Sequence, residues 1–199
     1  NNLAGSSNSN SSGGLTNQQM IDGLKQALQI GANNATATLN KTDGYFKNVA
    51  IKILMPPEAQ DVETKLRSLG FGKQVDDAVL SMNRAAETAA KDAAPIFLDA
   101  IKNMSISDAA SIVTGTDHAA TDYLKTKTSA QLTTKFKPVI QKALDQVSAT
   151  KYWSTVFTTY NQIPFVTKVN PDLTGYVTQK ALDGLFYSIG LEEKKIRTD

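Results

Sequence analysis

At 199 residues, with 41 % hydrophobic and 20 % charged side chains, the chain has the composition of an ordinary globular protein and the length of one large domain or two small ones. A formal charge of +2, carried mostly by lysines interleaved with Asp and Glu, is too small to argue for a nucleic-acid partner or for an anionic membrane surface. The absence of Cys excludes disulfides and thiol chemistry, and a single His excludes a His-based metal cluster.

No apolar run approaches the roughly 20 residues of a membrane span. The chain starts at Asn, without Met, which reads as a processed or trimmed N-terminus, compatible with removal of a targeting segment. Residues 1–14 are nearly all Asn, Ser and Gly, a composition that cannot bury apolar surface. It predicts a disordered tether or a ragged terminus, followed by a single all-helical domain over 15–199.

The first helix is predicted from Thr16, its N-cap, to Leu39. Ile21, Leu24, Leu28, Ala32, Ala35 and Leu39 form one apolar stripe. Gly31 and Ala35, one turn apart, would let another helix come close. Asp43-Gly44 predicts a turn with positive φ. Val49-Ala50-Ile51-Lys52-Ile53 alternates weakly and reads as a short extended segment, and without an evident strand partner it predicts irregular structure or at most a small ribbon. Pro56-Pro57 opens a helix to about Leu69, closed by Gly70-Phe71-Gly72.

Gly72–Met104 is the longest helical stretch, and the chain reads as organised around it. Val75, Val79, Met82, Ala86, Ala89 and Ala93 make its apolar face, with a kink or break predicted at Pro95. Ser105 to Asp108 resembles a capping box for a short helix ending at Gly115. Thr116-Asp117 would cap another short helix to about Lys127. A new one would start at Thr128 or Ser129, bent at Pro138, with Leu132, Phe136, Val139, Ala143 and Val147 inward. Tyr152, Trp153, Val156, Phe157, Tyr160 and Ile163 form an aromatic-rich helix. Asp172 caps the last, with Leu182, Leu185, Phe186, Ile189 and Ile196 inward. About two-thirds of the chain reads as helix, so the expected fold is all-α, an irregular multi-helix bundle with a short extended segment near 49–53.

Four stretches carry a resemblance. They are Asp43-Gly44-Tyr45-Phe46, Met82-Asn83-Arg84-Ala85-Ala86-Glu87, Thr116-Asp117-His118-Ala119-Ala120-Thr121, and Tyr176-Val177-Thr178-Gln179-Lys180-Ala181-Leu182-Asp183-Gly184-Leu185-Phe186. In this order, over roughly Gln19 to Arg197, the chain resembles a family of exported bacterial proteins catalogued as domain of unknown function 4197. The resemblance implies a secretion signal before the tether, often of the lipoprotein kind. It therefore implies a bacterial cell-envelope location, periplasmic or lipid-anchored. It also implies a basic tail beyond Arg197. It brings no activity or site.

Candidate site residues therefore come from the residues alone. Arg84 and Glu87, three apart, can pair on one helix face, with Asn83 beside them. They read either as an anion- or carbonyl-binding site or as an ion pair locking helices together. Tyr176, Lys180, Asp183 and Gly184 lie close around the last helix, either where a ligand approaches or where helices cross. Asp183 is a natural partner for Arg84. Asp117, His118 and Thr121 cluster at a helix start, as an acid–base group or a plain surface cap. Tyr152, Trp153, Phe157 and Tyr160 either line an apolar groove or fill the core. No phosphate loop, nucleophile arrangement, metal set or cofactor motif is present.

The leading expectation is a non-catalytic, envelope-tethered module that binds a ligand or partner through a polar-lined groove. It expects no cofactor and no nucleic acid, and contact with the membrane only through an N-terminal lipid anchor. The alternatives are an enzyme using Arg84, Glu87 and Asp183, and a carrier of apolar molecules.

Overall fold

The computed structural model describes residues 14–199. Apart from Gly14, the predicted tether lies outside the described residues. The described chain folds into eight α-helices without a strand: α1 Asn17–Asn40, α2 Gln60–Ser68, α3 Gly72–Ala90, α4 Ala93–Lys102, α5 Ile106–Val113, α6 Ala119–Gln146, α7 Ala149–Tyr160 and α8 Leu173–Thr198. Among them, no helix is long and apolar enough to cross a membrane.

Helices α1, α3, α6 and α8 form a closed ring of neighbours, with α3 also touching α8. Helix α4 lies against α1 and α6, α7 against α6 and α8, and α2 against α3. Each long helix turns its apolar stripe inward. On α3 the residues Val75, Val79, Met82, Ala86 and Ala89 are buried, and on α8 Leu182, Leu185, Phe186 and Ile189. Small residues set the closest approach. A Cβ on Gly31 would lie 3.1 Å from the Glu192 side chain, so α1 and α8 pack nearly backbone to backbone there.

The predicted ends follow local chemistry. Thr16 and Gln19 form a reciprocal capping box on α1, Ser105 and Asp108 another on α5, and Asp172 accepts the Gly175 N–H at the start of α8. Gly70, at φ 90°, closes α2.

Three details differ from the sequence reading. The long central helix breaks at Lys91-Asp92, ahead of Pro95, which sits in the first turn of α4. A proline ring collides with the carbonyl four residues back, here that of Lys91, so the ladder ends before the proline. The two helices expected on either side of Thr128 are one continuous helix, α6. Thr128 is buried within it and its hydroxyl donates to the Leu124 carbonyl, so it continues the helix instead of capping one. The inward stripe of α6 runs Leu132, Phe136, Ile140 and Leu144, while Val147 falls past the helix end and is exposed. Residues 49–53, expected as irregular structure or at most a small ribbon, form a turn leading into irregular backbone without a β-ladder.

Candidate functional site

The segment between α1 and the first turn of α2 is held from two sides, and the residues that hold it include four of those singled out in the sequence. Asn83 is wholly buried on α3. Its side-chain amide pairs with one backbone unit of the segment: Nδ2 donates to the Ile53 carbonyl at 2.8 Å, and Oδ1 accepts from the Ile53 N–H at 2.8 Å. Nδ2 also donates to the Val79 carbonyl. The side chain thus supplies the donor and acceptor that a neighbouring strand would otherwise give.

One turn on, Glu87 is buried, and its Oε1 accepts from the backbone N–H groups of Tyr45 (3.2 Å) and Phe46 (3.1 Å). Its Oε2 takes the Arg84 guanidinium at 2.8 Å. The second edge of Arg84 reaches Asp43 at 2.8 Å, and Asp43 in turn pairs with Lys47 at 2.9 Å. Lys47 first and Arg84 next hold the Asp43 carboxyl below its usual value. The Phe46 ring carries Lys52 at 4.4 Å and Arg84 at 5.4 Å from its centre.

Helix α8 closes the other side. Tyr45 is wholly buried and its hydroxyl donates to the Ala181 carbonyl at 2.6 Å. A Cβ on Gly184 would come within 2.7 Å of the Tyr45 ring and 3.2 Å of Ile51, so this glycine makes room for the segment, not for a crossing helix. The Tyr176 hydroxyl donates to the Leu54 carbonyl at 2.6 Å, and its ring lies nearly parallel to Trp153. Burial, with Glu58 nearby, pushes the Tyr176 phenol up to about 12. Burial pushes Tyr45 up as well, helped by the nearby charges of Glu87 and Asp183, so neither phenol gives up a proton near neutrality.

The turn departs from expectation in one respect. Positive φ falls on Asp43, at 71°, and not on the glycine after it. Gly44 is required for space: a Cβ there would run into the carbonyls of Thr38 and Leu39.

Lys180 and Asp183 are exposed on α8, where Asp183 accepts from Gln179. Arg84 therefore pairs with Asp43 and Glu87, and not with Asp183. Asp117 and His118 are exposed at the start of α6 and make no side-chain cap. The cap comes from elsewhere. Glu193, buried on α8, accepts from the N–H groups of Ala120 (2.9 Å) and Thr121 (2.8 Å) and from the Thr121 hydroxyl (2.6 Å). Arg197 braces the same carboxylate at 2.8 Å and reaches the Ile112 carbonyl of α5. Burial alone would raise Glu193, but the bonds from Thr121, Ala120 and Arg197 outweigh it and hold its carboxyl low. The sequence reading passed over this residue. Its signal was the Glu193 and Arg197 spacing of four on a helix end.

The aromatic helix divides. Trp153 and Phe157 pack inward, while Tyr152 is 67 % exposed, so they do not share a groove. A concave site opens elsewhere, between α1 and α8 beside the 44–48 turn. It encloses about 430 Å³. The buried Ala35 and Leu39 give it an apolar floor, and Thr38, Asn48, Ser188, Glu192, Lys194 and Lys195 a polar rim, with Leu191 exposed beside them. Lys195 is paired with Glu192 at 2.8 Å, whereas Lys194 makes no ion pair among the described residues. The sequence marks Ala35 and Leu39 only as part of the α1 stripe, and the groove as a site is not legible there, because its lining comes from three segments with no shared motif. Among the described residues no group of acidic or His side chains is placed to hold a metal.

Comparison with curated proteins and with solved structures finds no match. The family described as Protein of unknown function (DUF4197) matches residues 14–199, which takes in the α3 lock, the Glu193 cap and the α1–α8 groove, and the chain belongs to that family.

Proposed function

We propose that the protein is a non-catalytic binding module of the bacterial cell envelope, and that its ligand occupies the groove between α1 and α8. The groove carries this reading. It joins an apolar floor to a rim of hydroxyls, an amide, the mutually paired Glu192 and Lys195, and the ammonium group of Lys194, which leaves one unpaired positive charge for a small anion with an apolar body. The other strongly placed charges are committed within the fold: Glu87 and Arg84 to the 43–54 segment, Glu193 and Arg197 to the start of α6. The enzyme alternative would need Arg84, Glu87 and Asp183 to converge, but both oxygens of Glu87 are already engaged and Asp183 faces solvent. The envelope location follows from the family resemblance.

Amide-resolved NMR titration with octanoate tests the groove. Shifts gathered at Thr38, Asn48, Ser188 and Lys194 and lost in Lys194→Glu are the expected result. Shifts scattered over the surface, or none at millimolar ligand, would overturn it. Cell fractionation tests the location separately: the mature protein is expected with the envelope, and its recovery in the cytoplasm with an intact N-terminus would sink that part.

A further inference from the structure

The small net charge conceals a separation. Residues 135–168 carry five lysines against the single carboxylate Asp145, leaving sixteen basic and eighteen acidic residues in the rest of the chain. This basic stretch is the second half of α6, all of α7 and the connection to α8.

Exposed large apolar side chains occur along the whole described chain, and five of the sixteen, Val147, Tyr152, Val156, Ile163 and Phe165, fall in this stretch. Tyr152 and Val156, 67 % and 40 % exposed, sit one turn apart on α7, beside the inward pair Trp153 and Phe157. Beyond the helix, Asn161 and Val169 pair across the base of a loop. The Asn161 amide donates to the Val169 carbonyl at 2.6 Å and accepts its N–H at 2.8 Å. The Trp153 indole fastens the neighbouring Asn170 carbonyl at 3.0 Å. With its base pinned, the loop presents Ile163-Pro164-Phe165 outward. Ile163 is half exposed and Phe165 wholly so. The Ile163 N–H is bonded to the Tyr160 carbonyl and Pro164 has no N–H, which lowers the cost of taking this edge out of water. Phe165 holds φ 65°, a conformation an aromatic residue adopts only at a cost.

We propose that this loop tip and the outer face of α7 are a shallow insertion surface for an anionic lipid bilayer. Phe165, Ile163, Val156 and Tyr152 enter the interfacial layer, and Lys142, Lys151 and Lys168 meet the headgroup phosphates. Charge complementarity selects this occupant. A second copy docked through the same patch would set lysine against lysine across a two-fold axis. A protein partner would receive its anchors in a pocket of matched shape, whereas a projecting apolar tip needs only a yielding apolar layer. The proposal is independent of the groove, which lies between α1 and α8.

Co-sedimentation of the chain with phosphatidylglycerol–phosphatidylcholine vesicles, against pure phosphatidylcholine, tests it. Binding is expected to anionic vesicles, weakening as salt is raised. Phe165→Gly removes the ring while relaxing the backbone, so its melting temperature should be equal to or above that of the parent. Its vesicle affinity should fall about tenfold, the loss expected for one interfacial aromatic anchor. Lys151→Glu with Lys168→Glu should weaken binding further. No binding, equal binding to neutral vesicles, or full binding by Phe165→Gly would overturn the proposal. So would self-association, or cross-linking to a protein partner, that is lost in Phe165→Gly while vesicle binding persists.

Discussion

Asn83 and Glu87 show why a buried polar side chain is costly to change even where it performs no chemistry. Asn83→Ala leaves the N–H and carbonyl of Ile53 without partners in a dry site, and each stranded group costs about 1–3 kcal/mol. The expected loss is about 3 kcal/mol, read as a lower denaturation midpoint with an unchanged slope. Arg84 and Glu87 are unequal partners. Glu87→Ala strands two backbone donors and a guanidinium, so about 3 kcal/mol should be lost. The Arg84 side chain is 38 % exposed, and Glu87 keeps its two N–H bonds without it, so Arg84→Met should cost only about 1 kcal/mol. Equal losses in the two variants would contradict this division. Gly184→Ala is expected to cost about 1–3 kcal/mol through overpacking against Tyr45 and Ile51. The same denaturation series reads it.

At the scale of elements, one helix caps another. Glu193 of α8 satisfies the first free N–H groups of α6, a task usually given to a residue adjacent in sequence. Its carboxyl is held below its ordinary value of 4.5 in the folded protein, so around that pH the unfolded chain binds the proton more readily. Its contribution is therefore complete above about pH 4.5 and is lost as pH falls through the lower folded value. Glu193→Gln should be less stable at neutral pH and show a shallower decline on acidification, measured by urea denaturation across the acid range. A parallel decline in parent and variant would remove Glu193 from that role. The continuity of α6 is also checkable, since hydrogen exchange should find amides on both sides of Thr128 equally protected.

At the scale of the molecule, the ring of α1, α3, α6 and α8 encloses the core, and α7 joins it through one face that rests on α6 and α8. Opening of α7 is therefore expected at lower free energy than opening of the ring, seen as faster amide exchange over 150–160 than over 80–90. Much of this arrangement was legible in the sequence. The stripes of α1, α3 and α8, the Thr16 cap, the Ser105–Asp108 capping box and the Asp172 cap depend on residues three or four apart, and helical geometry alone makes such residues neighbours. The pairing of Arg84 with Glu87 was legible for the same reason. Which of two readings Asn83 would take was not, because its partner Ile53 lies thirty residues away and became its neighbour only when the 43–54 segment was laid between α3 and α8. The Glu193 cap, the role of Gly184 and the α1–α8 groove share that origin. Local periodicity determined which residues faced inward. Only tertiary packing decided which distant backbone groups those residues would satisfy, because a buried donor or acceptor must find a partner wherever the fold places one.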